Sequence, residues 1–374
     1  EQAMTLQPGH VEDHVSLAQI LVNQSDPDAA VRHYNSALKL VPDHVAAHLA
    51  LAQLNHESSQ TDEALQHVQS VLRITGDNRE AHLLAGKVYW KTKKIEQSKI
   101  HFSKLLQLDP EDHDAHFYLG YIASRQQNSA DTIHHFQEFV SLFPHNLEVR
   151  KLLALALVKA KKWQQAADHF GEVVNMESSY DPEIHQYYAN ALLHLDQFDA
   201  ARTQCEYAIS LDPKSPVSHN LMGQSLASLG KTSDAIQHFE YAIKQRPNFV
   251  EARANRATAL AEQGDYEQAV AGFRRVLQST PNDSIVHRNL GQAYQQLGKR
   301  KLALNHLQRA IELNPRDARA HQRLGMIYVR GRRLQEALKH FQKVAELDPN
   351  SAEAHYRVGL ALYQLRRYDD AIEV

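Results

Sequence analysis

ARAHQRLGMIYVRGRRLQEALKHFQKVAELDPNS, residues 318–351, contains the pattern from which the fold is predicted. Its first part places His321, Leu324 and Tyr328 at the spacing of one face of an α-helix. Its second part places Ala337 and Phe341 on one face in the same way. The stretch therefore predicts two short amphipathic helices that follow each other directly.

Turns are expected at two places in this stretch. Gly331 is predicted to interrupt the first helix, together with Arg332 and Arg333. The second helix is predicted to end at Asp348, because the residue before a proline is pushed out of the helical region. Neither apolar stripe can be buried within 34 residues, so the unit needs a neighbour on each side.

The same unit recurs along the whole chain. A proline recurs every 34 residues, and at two of these positions Gly76 and Ser178 take its place. One extra residue is inserted near Ser179–Asp181. Counted from the third residue after each such position, eleven repeats begin at 11, 45, 79, 113, 147, 182, 216, 250, 284, 318 and 352. The chain therefore reads as a tandem array.

Two positions of every repeat are small. Position 8 is Ala or Gly, position 20 is Ala, Ser or Thr, and position 24 is large or apolar. Small residues let two helix backbones approach, and the large residue fills the space beside them. We therefore predict that Gly120, Ala201 and Gly291 face an adjoining helix. Forcing a leucine into such a position should cost roughly 1–3 kcal/mol.

The chain resembles the tetratricopeptide repeat family over essentially its whole length. The family pattern is W-x2-L-G-x2-Y, then A-x3-F, then P, and Leu324-Gly325, Tyr328, Ala337 and Phe341 follow it. The family tryptophan at position 4 is His in nine repeats and Arg in the other two. The resemblance implies an all-α fold, an α-solenoid in which antiparallel helix pairs form a right-handed superhelix.

Composition excludes several classes of protein. The net charge is −3, and a single cysteine, Cys205, allows neither a disulfide framework nor a cysteine-based zinc site. No apolar run approaches the ~18 residues of a membrane span. We expect no cofactor and no membrane insertion, and a soluble protein for which the cytoplasm is favoured and the periplasm stays open.

The repeats suggest three segments. Residues 1–10 are expected to be the end of a preceding repeat, 11–181 to hold repeats 1–5, and 182–374 to hold repeats 6–11, the last one truncated. Because Val374 falls within a predicted second helix, we expect both ends to be cut from a longer protein. The charge also differs, since residues 1–180 hold 16 Lys and Arg against 22 Asp and Glu, and the remainder holds 25 against 22.

The resemblance also implies a binding groove. In the family, first helices form an inner, concave wall, to which positions 2, 5, 6, 9, 12 and 13 point; we call these positions the inner wall. In repeats 1–5 this wall is apolar and includes Leu83, Trp90, Phe117 and Tyr121. Two interpretations stay open, namely a contact site for a partner and burial against neighbouring first helices.

In repeats 6–11 the inner wall is rich in amides and then basic. Its predicted binding residues are Asn255, Arg288, Asn289, Gln292, Arg319 and Arg323. Inner-wall asparagines resemble those of the O-GlcNAc transferase arm, which bond a peptide backbone.

The basic part of the wall resembles the carboxylate clamp that binds chaperone tails. Asn289, Arg319 and Arg323 match three of its positions, whereas Ala254 and Thr258 break the other two. We therefore expect the more general case, an acidic or C-terminal carboxylate segment held near the arginines, since guanidinium binds carboxylate with two parallel bonds. A solvated basic face is the alternative.

Histidine is unusually frequent, with 24 in the chain. Seventeen of these occupy positions 4 and 23, so they follow the repeat. A metal needs ligand atoms about 2 Å from one ion, and a ladder with one copy per repeat does not provide that, so no metal site is expected. Partly buried histidines that become charged below about pH 6 would instead make the stack sensitive to acid.

No motif for catalysis is present. The sequence lacks a P-loop, a dinucleotide glycine fingerprint and HExxH. Residues 223–227 approximate the G-x-S-x-G elbow, but they lie inside a predicted first helix rather than in a strand-to-helix turn. We therefore expect no catalytic residues and no enzyme activity.

Three functions remain to be weighed. The favoured one is a non-catalytic scaffold that binds an extended or helical segment of partner proteins in its groove. The alternative is the substrate-recruiting arm of a larger enzyme, an O-GlcNAc-transferase-like glycosyltransferase. RNA binding is disfavoured by the 34-residue period and the negative first half. The sequence does not indicate an oligomeric state.

Overall fold

A computed structural model describes residues 10–176 and 180–374. The predicted end of a preceding repeat therefore lies almost entirely outside the described residues, as does most of the insert before Asp181. The described residues form two compact units, 10–176 and 180–374, each built from helices joined by short turns. The predicted division of the repeats at 181/182 stays a prediction.

Each repeat folds as two antiparallel helices. In the first unit the helices are α1 (Val11–Asn23), α2 (Pro27–Leu40), α3 (Val45–Glu57), α4 (Thr61–Ile74), α5 (Arg79–Lys91), α6 (Ile95–Leu108), α7 (His113–Arg125), α8 (Ser129–Leu142), α9 (Leu147–Lys159) and α10 (Trp163–Met176).

The second unit continues the same alternation. Its helices are α11 (Pro182–His194), α12 (Phe198–Leu211), α13 (Pro216–Ser228), α14 (Thr232–Gln245), α15 (Val250–Gln263), α16 (Tyr266–Ser279), α17 (Ser284–Gln296), α18 (Arg300–Leu313), α19 (Ala318–Arg330), α20 (Leu334–Leu347), α21 (Ala352–Gln364) and α22 (Tyr368–Ile372). All eleven first helices begin at the predicted repeat starts. The predicted α-solenoid is thereby confirmed within each unit.

Nine of the eleven first helices begin where a side chain caps the backbone, and α1 and α15 have no such cap. Asn78, Asp112, Asp283 and Asp317 each accept a hydrogen bond from an amide of the first helical turn. These amides have no partner within the helix, so a cap contributes about 1 kcal/mol. The cap follows each repeat's proline closely, which explains why the turn stays short.

The turn inside each hairpin is made by one residue in the left-handed conformation. Position 15 has a positive φ in all eleven repeats, yet it is glycine only at Gly230, Gly264 and Gly298. The turn predicted at Gly331 is confirmed, because α19 ends at Arg330, but Gly331 is not its left-handed residue. Its φ is −93°, and the left-handed residue is Arg332. A Cβ at Gly331 would lie 1.5 Å from Nη2 of Arg300, which bonds the carbonyl of Ile327. Glycine leaves room for this arginine.

Close helix approach is the basis of the core. A Cβ on Gly120 would lie 2.4 Å from the Phe136 ring, and one on Gly291 would lie 2.7 Å from Leu307. Both glycines and Ala201 are buried. The prediction that these three residues face an adjoining helix is confirmed.

Histidine pairs close most of the hairpins. In seven repeats Nδ1 of the position-4 histidine lies 2.9–3.1 Å from Nδ1 of the position-23 histidine. In repeat 2, Nε2 of His48 also lies 2.9 Å from the carbonyl oxygen of Pro42. Since a carbonyl only accepts, Nε2 of a neutral His48 donates and its Nδ1 accepts from His67. The pair therefore ties both helices of the hairpin to the preceding turn.

Two kinds of functional element are not found in the part of the chain that the structure describes. No described helix is long and apolar enough to cross a membrane. Likewise, no three His, Cys, Asp or Glu side chains among the described residues converge on a position for a metal ion. Fourteen of the histidines instead form the seven pairs described above, and each of these pairs holds a hydrogen bond.

Candidate binding site on the first helices

The apolar inner wall of repeats 3 and 4 packs on itself. Phe117 lies 4.9 Å from Tyr121 and 5.4 Å from Phe139, measured between ring centroids. Leu83 and Trp90 pack against the core cluster that contains Phe102. All four predicted residues are half-buried rather than exposed. Their role in binding stays a prediction.

Polar contacts hold part of this aromatic wall in place. The Tyr121 hydroxyl donates to Glu148 at 2.8 Å, and the Arg125 guanidinium lies 4.4 Å from the Trp90 ring. Burial, and then the bond to Glu148, raises the pKa of Tyr121 to about 12. The hydroxyl therefore stays protonated and keeps donating at physiological pH.

The amides of repeats 7 and 8 bond to one another. Asn255 donates to Asn220 at 3.0 Å, and Asn220 donates to Glu251 at 3.0 Å. Gln224 donates to the same carboxylate at 3.1 Å. Asn255, a predicted binding residue, thus already has a partner in the chain.

The basic inner wall of repeats 9 and 10 is different. Arg288 donates to Asp317 at 3.1 Å, and Asp317 also caps α19 by accepting from Ala320. Among the described residues, neither Arg319 nor Arg323 has a carboxylate or hydrogen-bond partner. Arg323 is nevertheless half-buried. A guanidinium without a counter-ion at that depth is a candidate anion site.

The positive charges of neighbouring arginines affect the pKa of Arg323. Burial, followed by the positive charges of Arg288 and Arg319, lowers the pKa of Arg323. An arginine stays charged in spite of such a shift. Since Asp317 already compensates Arg288, the repulsion between Arg319 and Arg323 is the one that an added anion would relieve. Asn289 and Gln292 are half-buried on α17, and no partner is found for either within the described chain.

An apolar pocket lies next to the arginines and was missed by sequence reasoning. It has a volume of about 150 Å³ and is lined by Met326, Val329 and Leu360, with Arg330 and Arg357 beside them. All five residues occupy inner-wall positions of repeats 10 and 11. A run of apolar residues at positions 9 and 12 was the signal that could have indicated it.

The repeat pattern matches a known family model. The model described as "Tetratricopeptide repeat" matches residues 15–79, 151–216, 220–284, 288–352 and 323–374. A second model, "Anaphase-promoting complex, cyclosome, subunit 3", matches residues 91–173. The search of curated proteins found no match.

Solved structures were compared as well. A tetratricopeptide repeat protein from Parabacteroides merdae ATCC 43184 is 15% identical, with 67% of this chain and 98% of that chain covered at a TM-score of 0.55. MamA from Desulfovibrio magneticus RS-1 is 25% identical, covering 46% and 97% at a TM-score of 0.42. The Cut9–Hcn1 hetero-tetramer of the APC/C is 16% identical, covering 99% and 87% at a TM-score of 0.46.

Of these three likenesses, the one to the Parabacteroides merdae protein is close enough to show a shared fold. The family model alone covers well over half of the chain, in both units. Together with the helical hairpins and their small packing positions, these matches identify the chain as a member of the tetratricopeptide repeat family.

Proposed function

We propose that this chain is a non-catalytic scaffold whose second unit binds an acidic segment of a partner protein. The segment lies on the inner wall of repeats 9 and 10, against Arg319 and Arg323. The observation that carries the proposal is Arg323, a half-buried guanidinium that lies close to two other arginines and has no counter-ion within the described part of the chain. Repeat solenoids in general use such extended surfaces for binding.

The chemistry of the wall favours a carboxylate. A planar guanidinium donates two parallel hydrogen bonds to a carboxylate, and charge-assisted bonds of this kind are about twice as strong as neutral ones. Arg288 is already bonded to Asp317 through Nη1, so Arg319 and Arg323 are the guanidiniums whose charge is left for the partner's carboxylate. The pocket at Met326 adds a place for an apolar side chain on the same segment.

The alternative of a glycosyltransferase arm has less support. Such an arm uses inner-wall asparagines to hold a peptide backbone. Here Asn255 donates to Asn220, and Asn220 donates to Glu251. Asn289 remains as a single amide for that role.

A glutamate-rich peptide tests the proposal. We expect a fluorescein-labelled, glutamate-rich decapeptide to bind the chain, and its glutamine counterpart to bind at least about tenfold more weakly. Changing Arg319→Glu and Arg323→Glu together should abolish the preference, because the carboxylates then face like charges. Fluorescence polarisation at low salt measures both affinities.

The control uses equal charge elsewhere. Arg332→Glu with Arg366→Glu makes the same change of charge at two exposed turn residues and should leave the affinity within about twofold. Arg288 is left intact, since removing it would strand the buried Asp317 carboxylate. Equal binding of the glutamate and glutamine peptides to the unaltered chain would refute the proposal.

A further inference from the structure

A second basic site lies away from the inner wall, in repeat 8. The groove between α14 and α16, with α15 beneath it, has a volume of about 360 Å³. Arg253 and Arg256 of α15, Arg275 of α16 and Glu240 of α14 line it, and we call it the Arg253 groove. This groove differs in two ways from the grooves at the equivalent positions of other repeats.

The first departure is the loss of the histidine pair. Position 4 is Arg253 and position 23 is Gly272, where seven other repeats have two bonded histidines. Arg253 donates to the carbonyl of Pro247 through Nε, at 3.0 Å, and through Nη2. This reproduces the bond that a histidine makes to the preceding turn, but it brings a permanent charge. Gly272 adds no side chain, so the charge faces an open groove.

The second departure concerns position 26. In repeat 9 this residue is Arg309, which donates to Glu312 at 3.1 Å. In repeat 10 it is Lys343, which donates to Glu346 at 2.7 Å. In repeat 8 it is Arg275, and the residue three positions later is Gln278. Arg275 has neither a hydrogen bond nor an ion pair with any described residue.

These departures leave positive charge uncompensated. The groove has three guanidiniums and one carboxylate, Glu240, to which Arg256 donates through Nε and Nη2 at 2.9 and 2.7 Å. The counterpart groove of repeat 10 instead balances Lys339 and Lys343 against Glu336 and Glu346. Burial, and then the charge of Arg275, lowers the pKa of Arg253. An anion between the two arginines would relieve this repulsion.

We propose that the Arg253 groove binds a phosphate group, carried by a phosphorylated protein segment. Three guanidiniums against one carboxylate leave a net charge of +2, which matches a phosphate monoester dianion, whose second pKa is about 6. Nη1 of Arg253 and the Arg275 fork supply donors for its several oxygens. The basic charge is local, because Arg309 in the next repeat is neutralised by Glu312. A nucleic acid would need a continuous basic track.

Calorimetric titration of the full chain tests the site with two probes, inorganic phosphate and a phosphoserine peptide, at low ionic strength. Gln278→Glu gives Arg275 the intrahelical partner that Arg309 and Lys343 already have, without removing an arginine. We expect this variant and Arg275→Gln each to weaken phosphate binding about tenfold. Arg274→Gln removes one positive charge from the adjacent position of α16 and should change the affinity by less than about twofold.

The pattern of affinities across the three variants and two probes decides whether the site exists. Loss in Gln278→Glu and Arg275→Gln, with binding kept in Arg274→Gln, supports the site. Tighter binding of the phosphoserine peptide than of inorganic phosphate supports a protein source, and equal or weaker binding of the peptide overturns that part of the proposal. Failure of both probes to bind at millimolar concentration, or equal weakening in all three variants, overturns the site.

Discussion

Replacing Gly120 with leucine is expected to destabilise the first unit by about 3 kcal/mol, the upper end of the usual range for overpacking. A Cβ alone at this position would lie 2.4 Å from the buried Phe136 ring. Alanine should be milder, because Ala154 faces Phe170 at the same positions of repeat 5. Three further side-chain atoms leave the ring no room, so the two helices of repeat 4 must separate. Thermal unfolding followed by circular dichroism measures the change.

The chain offers a matched control for this substitution. Gly76 is an exposed turn glycine of the same unit, and the nearest atom to a Cβ built there is the Leu72 carbonyl oxygen at 3.9 Å. Gly76→Leu should therefore change the free energy of unfolding by no more than about 0.5 kcal/mol. Equal effects of Gly120→Leu and Gly76→Leu would show that the small residue at position 8 is not there for close packing.

Acid is expected to loosen the stack. We predict a melting temperature about 5–10 °C lower at about pH 5 than at about pH 7.5. Burial, and then the charge of the paired histidine, lowers the pKa of His101, His135 and His340 to about 4. The pKa of His67 and His238 is lowered for the same reasons.

The sign follows from proton binding in the two states. An unfolded histidine has a pKa of about 6.5, so below that pH the unfolded chain binds more protons than the folded one. The stability that the neutral histidine pairs contribute is therefore fully present above about pH 6.5 and is lost as the pH falls toward 4. A pair can take up one extra proton on Nε2 of the position-23 ring, but a second extra proton would point two Nδ1–H groups at each other. Because the rings are partly solvated, we expect only about half of the full linkage effect.

Repeat 6 provides the control for acid sensitivity. There Gln204 replaces the second histidine and lies 2.8 Å from Nδ1 of His185. Changing His101, His135 and His340 together to glutamine should keep the hydrogen bonds and leave the melting temperature at neutral pH nearly unchanged. The decrease at pH 5 should then be about half as large. A melting temperature that is flat between about pH 7.5 and 5.5 in the unaltered chain would contradict this prediction.

Much of the fold is predictable from the sequence, because one period repeats eleven times. A 34-residue register places every first helix, and the small residues at positions 8 and 20 indicate where helices touch. The left-handed residue at position 15 was not predictable from composition, since it is glycine in only three repeats. In the other eight repeats the packing of the two helices forces residues such as Lys161 and Arg332 into the left-handed conformation, in spite of the steric cost of that conformation.

The candidate site was less accessible to sequence reasoning. The two histidines of a pair are 19 residues apart and lie on different helices. In the sequence, the pairing is indicated only where both positions change together, as at Arg253 and Gly272. Position alone placed Arg288 and Arg323 on the same wall. Only the structure shows that Arg288 is bonded to the Asp317 cap, while Arg323 has no counter-ion among the residues that the structure describes. Which polar groups are already bonded depends on side-chain geometry that a repeat pattern does not contain.

Photo-crosslinking can locate an acidic segment on the inner wall of repeats 9 and 10. The probe is a glutamate-rich decapeptide with a benzophenone group at one end, and mass spectrometry maps the attached residues on the full chain. We predict attachment within α17, α19 and α21, concentrated near Met326 and Leu360. Attachment confined to the second helices α16, α18 and α20, or to the first unit, would show that the segment does not bind this wall.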